Sequence, residues 1–166
     1  MENVRKLEVM MASWYKNMPH LPKNGQKWLA ENIWWLMLVL VVIGAMGVAS
    51  VIMATFFAGV LLSTIGPVGA AVGGIALVAV IVTMLFSIVI LVLSAMAVSP
   101  LRMLLKKGWT LLFIVILLQV AAHVASFLLG FNLITLIWNL FFTAVAAYFL
   151  FEIRDLFVAT RAKKKA

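Results

Sequence analysis

The sequence predicts an all-α polytopic membrane protein with four transmembrane helices as two antiparallel hairpins, preceded by an amphipathic N-terminal helix. Three observations predict it. The 166 residues are 66% hydrophobic and 11% charged, with a mean hydropathy of +1.20, whereas soluble chains average roughly 45–50% apolar and 25% charged. Such an excess of apolar residues has no interior large enough to hold it and needs lipid as its solvent. The charged residues gather in three blocks, 2–31, 102–107 and 152–165, and leave two stretches, 32–101 and 108–151, without Asp, Glu, Lys or Arg. Because about 20 apolar residues cross a bilayer, each stretch has room for two crossings. The third observation is where the basic residues stand. Five precede the first apolar segment, three lie between the second and third, five follow the fourth, and none falls in the two remaining joints. By the positive-inside rule both termini and the middle joint are cytoplasmic and the uncharged joints face outward.

The elements follow in order. In the leader, residues 1–32, the side chains Val4, Leu7, Met11, Trp14 and Met18 recur at steps of three and four opposite Arg5, Lys6, Ser13 and Lys16, until Pro19 ends the pattern. That spacing predicts an amphipathic helix, which either docks a partner or rests on an anionic inner leaflet. The apolar run that follows is far longer than the roughly 7–15 residues of a cleavable signal, so it is expected to stay as an anchor.

The transmembrane domain, 33–151, divides into segments of about 33–62, 75–97, 109–130 and 133–151. Between the first two lies STIGPVGAAVGG, 63–74. Gly66 and Pro67 break the pattern there, but proline is tolerated in a first helical turn, so 66–74 is either a loop or the start of the second helix. Ser99 as N-cap, Pro100 in the first turn and Gly108 just past the end predict a short helix lying along the inner interface. Phe131 and Asn132 leave so short a link that the last two helices must be antiparallel neighbours. A basic tail, 152–166, ends the chain. Trp28, Trp34, Trp35 and Trp109 fall near the inner boundary and Trp138 nearer the outer one, as an aromatic belt requires.

Several chemistries are excluded. The chain has no cysteine, hence no disulfide, thiolate metal site or cysteine nucleophile. No HExxH, GxSxG, carboxylate pair or Cys/His cluster occurs, so neither an enzyme, a metal site nor a cofactor is expected. The net charge of +8 flanks apolar segments, where anionic headgroups rather than nucleic acid are the nearest partner. Arg5, Lys6, Arg102, Lys106, Lys107, Lys163, Lys164 and Lys165 are the expected headgroup contacts. Glu31, Glu152 and Asp155 read as surface ion-pair partners of Lys27, Arg154 and Arg102, and His20, beside Pro19, reads as a loop residue with no partner.

Without ionised residues at depth, a charge-relay pathway has nothing to run on. The titratable group there is His123, which shares a helical face with Gln119 and Ser126. Asn132, Thr135, Asn139 and Thr143 form a matching stripe on the fourth segment. Folding the hairpin at residue 131 sets His123 level with Asn139 and Gln119 level with Thr143. The two stripes either line a polar site or satisfy each other as interhelical glue, at about 0.6 to 2 kcal/mol per bond. Gly47, Ser50, Ala54 and Ala58, with Gly69 and Gly73, form small-residue faces suited to close helix packing. Thr83 and Ser87 are placed to bond back to their own helix.

The segments KKGWTLLF at 106–113 and YFLFEIRDLF at 148–157 resemble small multi-helix integral membrane proteins of prokaryotes. The resemblance implies a prokaryotic inner membrane and carries over no functional residues. The expected function is that of a non-enzymatic structural, assembly or accessory subunit, acting through helix contacts as a homo-oligomer or with a membrane-protein partner. The alternative is an oligomeric permease for ions or small solutes, lined by the polar face of the third and fourth segments.

Overall fold

The computed structural model describes residues 2–15, 17–130 and 132–157. Its elements are α1 (Glu2–Tyr15), α2 (Lys23–Ser63), α3 (Pro67–Arg102), α4 (Lys106–Gly130), α5 (Leu133–Glu152) and one 3-10 turn, Arg154–Leu156, with no strand among the described residues. Four helices, α2 to α5, are long and apolar enough to cross a membrane. They pack in sequence, α2 on α3, α3 on α4 and α4 on α5. At 1.5 Å per residue, α2 and α3 are about 60 and 54 Å long, against about 37 and 30 Å for α4 and α5.

The turns explain where the helices break. Gly66 has φ +84°, a conformation that costs a side chain but not glycine, and Pro67 then starts α3 with a preset φ. The segment 66–74 is therefore helix from Pro67 onward. A side chain on Gly69 would meet the Leu62 carbonyl oxygen at 2.5 Å, so glycine lets α3 leave this close to α2. Asn132 caps α5, its side-chain oxygen accepting from the Thr135 N–H at 3.0 Å.

The joint after α3 differs from the expectation. Ser99 does not cap a separate interfacial helix; α3 continues through Pro100 to Arg102, and only residues 103–105 form the turn before α4. An internal proline loses a helix bond and strains the turn before it. Here that loss is offset by burial, because Ala97 and Leu101 are fully enclosed in the core. Leu104, with φ +52°, reverses the chain, and the Leu105 N–H returns to the Pro100 carbonyl at 2.9 Å. Gly108 lies inside the first turn of α4, where a Cβ would come within 2.7 Å of the Leu101 nitrogen.

The core sits at one end. Ala30, Ala97, Leu101, Trp109, Leu112, Phe113, Ile116, Ala147, Leu150, Ile153 and Phe157 form a single buried cluster. All come from the ends of α2 to α5 nearest the charged blocks, or from the segment just after α5. Away from that end the helices leave Phe56, Phe57, Leu61, Val68, Ile134 and Ile137 exposed. The distribution follows the solvent of a membrane protein. Near water the hydrophobic effect drives apolar side chains inward, whereas between helices in hydrocarbon it supplies nothing and lipid covers them equally well.

Candidate functional site

The densest polar chemistry lies at this packed end, and the N-terminal segment builds much of it. Glu8 of α1 is buried, and its Oε1 accepts from both Lys106 Nζ and Arg154 Nε at 2.8 Å. Burial pushes the Glu8 carboxyl up, but the charged hydrogen bonds and the fields of Lys106 and Arg154 outweigh it and hold the group below the usual carboxylate range. Beneath the pair, Lys106 Nζ stands 3.8 Å from the centre of a Trp109 ring and the Arg154 guanidinium 6.0 Å from one, within cation–π range. Trp109 is itself fully buried, stacked on Phe113 with centroids 5.5 Å apart, and its Nε1–H donates to the Leu150 carbonyl at 2.8 Å. It is thus a core residue rather than part of an aromatic belt.

A second carboxylate anchors the connection from α1 to α2. Glu152 lies within reach of His20 Nδ1 at 2.6 Å and accepts from the Leu21 N–H at 2.8 Å and Gln26 Nε2 at 3.0 Å, leaving its side chain only 3% exposed. His20 therefore has a partner, contrary to expectation, and Glu152 is a buried anchor rather than a surface group paired with Arg154. Tyr148 donates its hydroxyl to the Pro19 carbonyl, and Tyr15 stacks on Phe151 with ring centroids 5.0 Å apart. These contacts join residues more than 120 positions apart, for which composition and periodicity carry no signal. Lys27 and Glu31 do approach each other, at 3.9 Å, one turn apart on α2.

On α1, Glu8 and the half-buried Met11 and Tyr15 lie one turn apart, while Leu7, Met10 and Trp14 are exposed. Of the expected headgroup residues, Lys106 is engaged with Glu8, the Arg102 guanidinium lies 5.3 Å from a Trp34 ring centre, and Lys107 is exposed. Lys6 is also exposed. Lys163, Lys164 and Lys165, like the side chain of Arg5, lie outside the described residues.

The polar stripes of α4 and α5 occupy the less packed half. Gln119, His123 and Asn139 are half-buried, Ser126, Asn132 and Thr135 exposed, and Thr143 buried. Among the described residues no hydrogen bond joins Gln119 or His123 to Asn139 or Thr143. Thr143 instead donates to the Asn139 carbonyl of its own helix at 2.8 Å, as Ser50 does to Met46 and Ser87 to Thr83, each at 2.9 Å. Short hydroxyl side chains thus satisfy themselves locally.

In the small-residue faces, Gly73 approaches the Leu62 side chain, with 3.2 Å left for a Cβ, and Gly69 the Leu62 backbone, whereas Gly47 has open space around it. Ser50 and Ala54 are exposed, Ala58 likewise. Among the described residues no group of three or more His, Cys, Asp or Glu side chains gathers. No protein-family model, curated protein or solved structure matches the chain.

Proposed function

We propose that the chain is a non-enzymatic integral membrane protein, a structural, assembly or accessory subunit that acts through helix contacts. The observation that carries this reading is the unequal packing of the four long helices. A single buried cluster holds them at one end, while the mutually packed α2 and α3 keep most of their large side chains open along their length. A bundle fixed at one end with long apolar faces elsewhere is suited to receiving further helices, from a second copy or from a foreign subunit.

In this reading α2 with α3 and α4 with α5 form two antiparallel hairpins in a prokaryotic inner membrane, both termini in the cytoplasm. The buried cluster then lies at the inner boundary. The amphipathic α1 lies along that boundary, its exposed Leu7, Met10 and Trp14 toward the acyl chains. The basic residues meet the anionic leaflet.

Native mass spectrometry of the protein released in lipid nanodiscs tests the reading. A stoichiometric second copy or foreign chain is the expected outcome; a lone monomer would overturn it. The permease alternative draws on one specific observation, that half-buried Gln119 and His123 form no hydrogen bond to the facing stripe. Four helices enclose little space, so such a pathway would form between protomers. A symmetric oligomer whose ion or solute flux in liposomes is lost in His123→Leu would favour it.

A further inference from the structure

Lys106 and Arg154 converge on one carboxylate oxygen, and that arrangement has more donor capacity than Glu8 uses. Arg154 engages Oε1 through Nε, which leaves its two terminal amino groups, and Lys106 gives one of its three N–H donors. Two cations against one carboxylate leave the cluster with an excess positive charge. Asp155 is exposed and forms no ion pair with either cation among the described residues. Both cations are about one-third exposed, 30% and 32%, while the carboxylate between them is 9% exposed. The Trp109 ring forms the floor.

A planar guanidinium beside an ammonium is a receptor for an oxyanion, and the indole face beneath holds the two cations in place. The receptor's occupant here belongs to α1, which the bundle end holds through Glu8, Met11 and Tyr15. A short terminal helix held along one face opens at lower free-energy cost than the helices that share the core.

We propose that Lys106 and Arg154, held over Trp109, form a phosphate-binding site for an anionic phospholipid headgroup, in which the Glu8 carboxylate is an internal stand-in that the headgroup displaces. Binding of the phosphate frees α1 from the bundle end, so the N-terminal helix reports the anionic lipid content of the leaflet. The proposal rests on placing this end of the bundle at an anionic leaflet and holds for either functional reading. Labelling of Lys107→Cys in this cysteine-free chain from one side of sealed vesicles tests that placement separately.

The test uses the full chain in nanodiscs of phosphatidylcholine alone or mixed with phosphatidylglycerol. Two readouts are taken: hydrogen exchange of the α1 amides, and phosphatidylglycerol retained in native mass spectrometry. In the wild type, α1 is expected to exchange severalfold faster in the mixed discs. Glu8→Gln is expected to retain more phosphatidylglycerol than the wild type. So is Tyr15→Ala, which loosens α1 without touching a charge. Adding Lys106→Gln and Arg154→Gln to Glu8→Gln should remove the gain. Equal exchange in both lipids, or retention unchanged in both Glu8→Gln and Tyr15→Ala, would overturn the proposal. Faster α1 exchange on adding inorganic phosphate to phosphatidylcholine discs would overturn the headgroup as the source and assign the site to soluble phosphate.

Discussion

Trp109 donates its indole N–H to the carbonyl oxygen of Leu150, 2.8 Å away, and so ties the first turns of α4 to the last turn of α5. The last four carbonyls of a helix have no partner within it, and this buried one finds its partner on a neighbouring helix. Trp109→Phe keeps most of the ring stack on Phe113 but leaves that acceptor unpaired. The expected loss is about 1–3 kcal/mol, read as a lower unfolding midpoint in detergent. Trp109→Ala should cost more, about 3–5 kcal/mol, since it also opens a cavity.

Gly108 makes an independent prediction at the same junction. A methyl group there would fall 2.7 Å from the Leu101 nitrogen and 2.9 Å from the Pro100 carbonyl carbon, both backbone atoms that cannot rotate away. Gly108→Ala should therefore destabilise by about 1–3 kcal/mol, the usual cost of overpacking. Gly47→Ala, at a position with open space, should leave the melting curve unchanged or slightly raised, since alanine is the better helix former.

Glu8 makes the attachment of α1 dependent on pH. Its carboxyl is held below the usual range in the folded protein, so its ion pairs contribute fully above the unfolded pKa and are lost as the pH falls through the folded one. Hydrogen exchange of α1, corrected for intrinsic rates, should show constant protection from neutral pH down to the ordinary carboxyl range. Below that range protection should fall, and Glu8→Gln should remove the fall.

His123 and Asn139 are half-buried on facing helices with no hydrogen bond between them. Their substitution energies should therefore add. In a double-mutant cycle of His123→Leu and Asn139→Leu the coupling is expected to stay within about 0.5 kcal/mol. A larger coupling would mean that the side chains meet in the folded bundle.

The four long helices were legible in the sequence because uninterrupted apolar length is a strong signal, but charge did not mark the start of α2, which begins at Lys23 and carries Lys27 and Glu31 within it. The joint at Pro100 was not legible. Ser99, Pro100 and Gly108 carry the local marks of a helix start and stop, and the burial of Ala97 and Leu101 against partners in α4 overrides them. The contacts of Glu8, His20 and Glu152 were illegible for a different reason: a charged or polar side chain in a sequence names no partner. The polar stripes of α4 and α5 were visible as patterns, but a shared face does not establish a bond. For the hydroxyl side chains, the carbonyl one turn back was the nearer acceptor.

The four long helices differ about twofold in length. Fitting α3, about 54 Å long, into a hydrocarbon layer of about 30 Å by tilt alone would need about 55°, beyond the 0–40° that transmembrane helices adopt. The α5 flank, about 30 Å long, matches the same layer upright. Across such a layer α2 and α3 therefore tilt and also extend past it or thicken it, whereas α5 spans it without excess. The bundle is thus unequal in length from one flank to the other, with the excess carried by α2 and α3.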